Sequence, residues 1–174
     1  MIIDGEVSLV SVIDGEPSIV TSIKGNPDLT AGHIDITDNA IPAFKYFRNT
    51  DLVSVATDHE ITVGESAFEG CVNLRYVRGP ENDFGHITYI GARAFKGCAE
   101  ITEATLTASY VGDYAFAETG IKTVHVASWN VVAGERIFGE VEEDFRIYIN
   151  SEDLFYYQQA PGWSYYRDYM YAAV

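Results

Sequence analysis

The sequence predicts a mainly β protein built as a solenoid of stacked repeats, with an extended N-terminal arm and a helical C-terminal cap. Three observations support this: a glycine, alanine and phenylalanine phrase recurs through the middle of the chain, a separate ten-residue repeat occupies the start, and tyrosine crowds the end. We therefore divide the chain into an arm at 1–38, a solenoid at 39–150 and an aromatic helical cap at 151–174.

The arm contains three related units, IDGEVSLVSV, IDGEPSIVTS and IKGNPDLTAG, which start at Ile3, Ile13 and Ile23. Each unit turns at a glycine and continues into a short β-prone run such as 7–12. About thirty residues without a long apolar block cannot build a core, so the arm is expected to stay mobile or to pair with a partner. These units resemble decapeptide stretches of phage minor structural proteins, and the resemblance implies a tether to a larger particle.

The central repeat is clearest in VGESAFEGCVNLRYV from Val63, IGARAFKGCAEITEA from Ile90 and VGDYAFAETGIKTV from Val111. Two degenerate copies, AFKYFRNTDLVSV ending at Val55 and AGERIFGE from Ala133, extend the series. We call the buried phenylalanine expected in each copy its anchor. The predicted anchors, spaced by 21, 27, 21 and 22 residues, are Phe47, Phe68, Phe95, Phe116 and Phe138. Self-similarity at a period in the twenties is typical of a solenoid, in which each unit buries its apolar face against its neighbours.

The slots of the repeat carry a specific resemblance. One copy supplies Gly64, Ala67, Phe68, Cys71, Leu74 and Val77, and the next supplies Gly91, Ala94, Phe95, Cys98, Ile101 and Ala104. These residues resemble the BspA-like leucine-rich repeat family, whose unit reads I-G-x-x-A-F-x-x-C-x-x-L-x-x-V. The resemblance covers about 40–170, including a tail YYQQAPGWSYYRDYM that is similar to the family's ending. It implies a leucine-rich-repeat solenoid with a display role and no chemistry.

Within the solenoid, Leu52 and Val55 and their equivalents are expected to point inward, and alternation sends their neighbours to solvent. One exposed column is predicted to contain Ser54, Tyr76, Glu103, Thr123 and Arg146, and a second Ala56, Arg78, Thr105, His125 and Tyr148. Second β-prone pieces, at 59–63, 86–90, 110–111 and 129–132, indicate two strands in each rung. The insertion GPENDFG from Gly79 is expected to be a surface loop.

The most promising binding residues on these columns combine aromatic and charged side chains. The predicted binding residues are Tyr76, Arg78, Glu103, His125, Arg146 and Tyr148. Tyrosine and arginine are enriched at the energetic centres of protein interfaces. The competing surface is the tyrosine-rich tail.

Cys71 and Cys98 occupy the same slot of adjacent repeats. A rung spacing of about 4.7–4.9 Å is compatible with the Cα separation of a disulfide, so spacing alone leaves both states open. Because Thr50 and Thr119 fill the equivalent slot elsewhere, we favour a small buried side chain and two free thiols.

Beyond residue 150 the pattern becomes helix-like, with Ser151 as an N-cap before EDLFYYQQA and Ser164 as an N-cap before YYRDYMYAA. A solenoid needs a terminal unit to cover its last rung. The residues predicted to do so are Leu154, Tyr157, Trp163, Tyr166 and Met170.

No phosphate loop, nucleophile elbow or paired-cysteine metal signature is present, so we predict no enzyme activity, no catalytic residue, no cofactor and no metal site. His59 and His86, beside Asp58 and Glu60, could stack on adjacent rungs as a metal or proton-sensitive pair, but without a third ligand we interpret them as incidental. The carboxylates could hold calcium, but lacking spaced oxygen ligands they are interpreted as a solvated face.

The net charge of −15 and pI near 4.4 disfavour nucleic acid as a partner. The start of the chain lacks the basic and apolar regions of a signal peptide, and no segment has the length to span a bilayer, so membrane insertion is not expected.

The preferred hypothesis is a non-enzymatic protein-binding or structural display module. It would be a phage virion accessory, for decoration or attachment, tethered by the arm at the surface of the virion or another particle. The alternative is a bacterial cell-surface or secreted adhesin module of the BspA-like type. The predicted partners are proteins or further copies of the chain through the arm, with a host-surface protein or a glycan as a further candidate.

Overall fold

The computed structural model describes residues 32–77 and 84–173 with their side chains, together with the backbone of 7–13, 16–23 and residue 78. The strands are β1 (Val7–Ile13), β2 (Glu16–Ile23), β3 (His33–Ile36), β4 (Ala40–Ile41), β5 (Ser54–Thr57), β6 (Ile61–Val63), β7 (Tyr76–Arg78), β8 (Ile87–Ile90), β9 (Glu103–Leu106), β10 (Tyr110–Val111), β11 (Thr123–Val126), β12 (Val132–Ala133), β13 (Arg146–Ile149) and β14 (Met170–Ala172). A short helix α1 spans Leu154–Tyr157, and a 3-10 helix spans Ser164–Tyr169.

Within the arm, β1 and β2 pair as an antiparallel hairpin in which Ile13 lies opposite Glu16. The short strands expected from the first two units of the ten-residue repeat are therefore present, and most of the third unit lies outside the described residues. The three glycine turns of that repeat, and with them the expected mobility of the arm, lie outside the described residues.

From β3 onward the chain is a mainly β solenoid of stacked parallel strands. A continuous five-stranded sheet runs β4, β6, β8, β10, β12, and a second side is formed by the sheets β3, β5, β7 and β9, β11, β13, β14. The first five rungs thus carry the two strands that the sequence indicated, and the last rung has β13 alone among the described residues. Because β3 pairs with β5, this ladder begins inside the segment that the sequence analysis assigned to the arm.

The predicted inward positions form the core of the solenoid. Leu52, Leu74 and Ile101 are almost fully buried, and so are the residues three positions after them in the strands, Val55, Val77 and Ala104, together with Val124 on the next rung. Successive rungs place these side chains over one another, so every repeat buries its apolar face against the next.

An aromatic column runs through this core. The rings of Tyr46, Phe68, Phe95 and Phe116 stack in sequence with centroids 5.2 Å apart, and Phe138 follows at 6.0 Å. Offset stacking of this kind adds to the free energy of burial.

The prediction that Phe47 is the first anchor is wrong. Phe47 is 39% exposed, and Tyr46 takes the buried position at 6% exposure. The backbone explains the shift, because Tyr46 N–H donates to Ala67 C=O just as Phe68 N–H donates to Ala94 C=O on the next rung. Thr50, assigned to the cysteine slot from the same register, is exposed on the surface instead.

The turns that carry the anchors form a hydrogen-bond ladder of their own, which we call the turn ladder. In one turn, Ser66, Phe68 and Gly70 donate their N–H groups to the carbonyls of the next rung at 2.7–2.9 Å. The residue two before each anchor is left-handed, with φ of 43–58° at Phe44, Ser66, Arg93, Tyr114 and Arg136. The N–H groups of these turns donate to the following rung, so they face the C-terminal end of the solenoid.

The glycine of the repeat phrase is required by close backbone approach. A Cβ at Gly112 would lie 2.4 Å from the Ala92 nitrogen, and one at Gly64 would lie 2.5 Å from the Ala43 nitrogen. No side chain fits at such a distance, so glycine lets consecutive turns come close enough to hydrogen bond.

The second side of the solenoid is interrupted at the long insertion. β7 and β9 belong to different sheets, so the predicted columns are not carried by one continuous run of paired strands. The prediction that the insertion is a surface loop is also wrong at Phe84. The Phe84 ring is buried edge-on against Phe95 and Phe116, with ring centroids 5.2 and 5.5 Å apart. Residues 79–83 of the insertion lie outside the described residues.

Cys71 and Cys98 are free and buried, as favoured from the sequence. The Cys71 thiol donates to Tyr46 C=O at 2.9 Å, and the Cys98 thiol donates to Phe68 C=O at 3.1 Å. Burial raises the pKa of Cys71 to about 11 and raises that of Cys98 as well. Both thiols therefore serve as small core groups that hydrogen bond to the preceding rung.

The C-terminal cap covers the last rung as predicted. Tyr157, Trp163, Tyr166 and Met170 are buried, and Leu154 packs against the core. Their polar atoms replace a missing rung: Tyr166 Oη accepts from Phe138 N–H and donates to Gly139 C=O, both at 3.0 Å.

The helices of the cap are shorter than predicted. Helix α1 begins after Asp153 rather than Ser151, and the 3-10 helix begins after Trp163 rather than Ser164. The predicted second helix ends before Met170, because 170–172 form β14 and pair in parallel with β13. Sheet pairing along an open edge here overrides the helix-like pattern.

The aromatic column predicts the effect of Phe95→Ala at its centre. Removing this ring should destabilise the protein by about 3–5 kcal/mol through lost burial and a residual cavity. The free energy of unfolding in urea measures the loss. Phe47→Ala is the matched control, since an exposed ring should cost well under about 1 kcal/mol. Equal losses of stability in the two variants would contradict the assignment of Phe95 to the buried column and of Phe47 to the surface.

The cap predicts the effect of removing one oxygen atom with Tyr166→Phe. The buried Phe138 N–H would lose its acceptor, which should cost about 1–3 kcal/mol. Tyr165→Phe is the control because the Tyr165 hydroxyl bonds an exposed Glu140 carboxylate, and its loss should stay within about 0.5 kcal/mol. A Tyr166→Phe protein as stable as the Tyr165→Phe protein would rule out the hydroxyl as a substitute for the next rung.

Candidate binding face

The exposed side of the sheets β3, β5, β7 and β9, β11, β13, β14 is the candidate site, here called the strand face. Strand register confirms the predicted side-by-side placement on each half of this face. Ser54 pairs with Tyr76 and Ala56 with Arg78 on the first half. On the second half, Glu103, Thr123 and Arg146 align across β9, β11 and β13, as do Thr105, His125 and Tyr148. The interruption between β7 and β9 separates the two halves.

On the first half, Tyr76 is 40% exposed and lies beside Ser54. The Ser54 hydroxyl is 2.6 Å from His33 Nδ1, and His33 Nε2 is 3.2 Å from an Asp35 carboxylate oxygen. His33 and Asp35 extend the two columns by one rung. Sequence reasoning missed them because they fall within the segment assigned to the arm.

On the second half, the predicted residues form a contiguous cluster. The rings of His125 and Tyr148 stack with centroids 5.2 Å apart and planes 19° apart. His125 Nε2 lies 3.5 Å from Glu103 Oε1, so protonation of this imidazole would form an ion pair across adjacent strands. Four of the six predicted binding residues, Glu103, His125, Arg146 and Tyr148, thus lie on three neighbouring strands.

Tyr171 completes this cluster, although it was counted with the competing tyrosine-rich tail in the sequence analysis. It pairs with Tyr148 through β14, and the two rings lie 6.2 Å apart. The Arg146 guanidinium lies 5.3 Å from the centre of the Tyr171 ring and also donates to the carbonyls of Glu143 and Phe145 at 2.7 Å. A guanidinium fixed in this way keeps its planar face oriented, which favours stacking and bidentate contacts.

The two central histidines have different surroundings. His59 Nδ1 is 2.7 Å from an Asp58 carboxylate oxygen, and this hydrogen bond raises the pKa of His59. His86 Nδ1 is buried without a hydrogen-bond partner in the described part of the chain. Among residues 32–78 and 84–173, no three histidine, cysteine or carboxylate side chains come together as metal ligands.

The repeats, their spacing and the rung geometry agree with one family. A family model described as a BspA type leucine rich repeat region, with six copies, matches residues 39–152. The chain belongs to the BspA-type leucine-rich repeat family. Six strands, β3, β5, β7, β9, β11 and β13, mark the successive rungs of this BspA-type solenoid in the described residues.

No curated protein matches the chain. Among solved structures, it is similar to a leucine-rich repeat protein from Bacteroides ovatus ATCC 8483, with 14% identity and a TM-score of 0.23. The match covers 87% of this chain and 65% of that one, so the chain spans less than two thirds of the length of its match.

Leucine-rich repeat modules are typically non-catalytic units that bind other proteins, and their extended stacked surfaces suit that purpose. In the part of this BspA-type chain that the structure describes, no helix has the length and apolar character needed to cross a bilayer.

Proposed function

We propose that this BspA-type module binds a protein partner through the strand face, with the energetic centre on its second half. The observation that carries the proposal is the continuous row formed by Glu103, His125 and Tyr148 with Arg146 and Tyr171 beside it. Partly exposed aromatic rings next to an oriented guanidinium are the side chains that dominate binding energy at protein interfaces.

The rigidity of this row adds to its suitability. Each side chain is set by a parallel strand whose neighbours fix its position, so little conformational entropy remains to be lost on binding. Glu103 and Arg146 also place opposite charges on one face, which favours a partner with complementary charges and gives orientation to the complex. Tyr76 and Arg78 are proposed as further contacts on the first half.

We further propose that the module is a non-enzymatic virion accessory protein, displayed for decoration or attachment and tethered by its arm. The resemblance of the arm to decapeptide stretches of phage structural proteins supports this setting. The β1 and β2 hairpin supports it too, because its two strands belong to none of the solenoid sheets and can add to a sheet of another subunit. The alternative setting, a bacterial cell-surface or secreted adhesin module, is favoured by membership of the BspA-type family.

The strand-face proposal predicts the effect of replacing His125 and Tyr148 together with alanine. Affinity for the partner should fall at least about tenfold, or 1.4 kcal/mol. The partner would first be identified by cross-linking on intact particles or cells of the source organism, and binding would then be measured by surface plasmon resonance with both proteins purified.

The matched control is the double alanine variant of Tyr89 and Tyr110. These rings stack at 5.1 Å and 15° on the five-stranded sheet, so the variant removes an equivalent pair from the other side. A double variant of Tyr76 and Arg78 measures the first half separately. If the Tyr89 and Tyr110 variant loses binding while the His125 and Tyr148 variant keeps it, the partner binds the other sheet.

The tether proposal predicts the effect of deleting residues 2–31. The thermal transition of the solenoid should stay nearly unchanged, because Gly32, whose carbonyl accepts from Val53 N–H, is retained. Association with particles should be lost, as measured by co-sedimentation in a density gradient. Unfolding of the truncated chain would refute the expectation that the solenoid folds without the arm. If the full-length and the truncated protein label cell envelopes equally, and neither is found in the particle fraction, the adhesin setting is favoured.

A further inference from the structure

The loop between β11 and β12 carries an insertion. Five residues, 127–131, separate Val126 from Val132, whereas three residues, 107–109, separate Leu106 from Tyr110 on the preceding rung. The strands on both sides remain in register, with Val126 opposite Leu106 and Val132 opposite Tyr110. The two extra residues therefore leave the stack at one corner of the solenoid, and Trp129 lies among them.

Trp129 is 79% exposed, whereas Trp163, the other tryptophan of the chain, is fully buried in the cap. Burying an indole is among the most favourable contributions a side chain makes to folding. Trp129 gains little of this stabilisation in the folded chain because its side chain is mostly exposed. Its apolar surface is therefore left available to a ligand.

The loop is held firmly although it is exposed. The Tyr157 hydroxyl accepts from Val131 N–H at 2.8 Å and donates to Ser128 C=O at 2.9 Å. Trp163 Nε1 donates to Val131 C=O at 2.7 Å, and the Tyr156 hydroxyl donates to the Asn130 side-chain carbonyl at 2.6 Å. The cap thus fixes both the backbone and a polar side chain next to Trp129, which lowers the entropic cost of binding there.

An open groove of about 520 Å³ lies beside this loop and is lined by Thr107, Ser109, Ala127, Ser128, Trp129 and Asn130. This volume is in the range of small-molecule sites. None of the lining side chains is ionisable, in a chain whose net charge is −15. The groove is therefore a neutral patch on an acidic protein, and it favours an uncharged ligand.

The hydroxyls along the groove are already oriented. Thr107 Oγ1 donates to Gly85 C=O, Ser109 Oγ donates to Thr88 C=O, and Ser128 Oγ donates to Thr107 C=O, at 2.9–3.0 Å. Each hydroxyl proton is thereby directed to the preceding rung, and the oxygen lone pairs are left to accept hydrogen bonds. A ligand rich in hydroxyl donors matches such a row.

We propose that this groove binds a neutral saccharide, with one sugar ring against the Trp129 indole and its hydroxyls donating to the row of Thr107, Ser109 and Ser128. The C–H face of a sugar ring is apolar and slightly positive, which matches the negative face of an aromatic ring. A protein partner is the poorer match, because a stable protein interface needs about 800 Å² on each side and these six residues form a small patch. The site is independent of the strand face.

The test uses the two tryptophans as internal probes. Indole N–H signals of the full chain are followed by NMR during titration with maltohexaose, cellohexaose and chitohexaose, and with polygalacturonate as an acidic counterpart. At least one neutral probe should shift the Trp129 signal in a saturable manner while the Trp163 signal stays in place. Trp129→Ala should weaken binding of that probe by at least about tenfold, measured by calorimetry, and Trp129→Phe should restore part of it.

Phe155→Ala is the matched control, because Phe155 is a 75% exposed aromatic residue of the cap that does not line the groove, and its replacement should leave binding unchanged. No saturable shift with any neutral probe would overturn the proposal, as would a response to polygalacturonate alone, undiminished binding by Trp129→Ala, or a cross-linked protein as the only ligand of the Trp129 loop.

Discussion

The hydrogen bond from each anchor residue's N–H group to a carbonyl of the following rung is the constraint on which the rest of the solenoid depends. It fixes the positions of Tyr46, Phe68, Phe95 and Phe116 within their repeats, and so it places their rings in one stack. The bond forms only if consecutive turns approach closely, and the glycine of the repeat phrase allows that approach. Glycine and phenylalanine therefore recur together at fixed spacing because both positions depend on this one hydrogen bond.

The same alignment of the turns determines which side chains lie together on the strand face. Once the turns are aligned, strands that begin a constant number of residues after each turn must pair in register. Side chains at equivalent positions of successive repeats then lie next to one another. His125 therefore lies between Thr105 and Tyr148 without any contact selected for that purpose. The insertion after β7 interrupts the pairing on this side, whereas the five-stranded sheet continues past it. The interruption is tolerated because Phe84 fills core space beside Phe95 and Phe116.

Much of the fold was predictable, because a repeat reports the same slot several times. The error at Phe47 arose where the first copy is degenerate and two aromatic residues are adjacent. Counting back from the strand would have corrected it, since Tyr46 precedes Leu52 by six residues as Phe68 precedes Leu74. Strand β14 gave no such signal, because its pairing with β13 depends on where the cap places it. For the same reason Tyr171 was missing from the candidate site, and Trp129 becomes apparent only when the corner loops of successive rungs are compared.

The turn ladder also gives the solenoid two chemically different ends. Its N–H groups all face the C-terminal end, where the Tyr166 hydroxyl meets the last of them, and the equivalent carbonyls of the first rung belong to Ala43, Lys45 and Phe47. Two such N-terminal ends offer acceptor against acceptor and cannot join through this ladder. A unit duplicated in the middle, by contrast, meets the same donors and acceptors on either side as the unit it copies. The length of the array can therefore change in evolution by whole repeats, while a single cap, fitted to one end only, continues to close it.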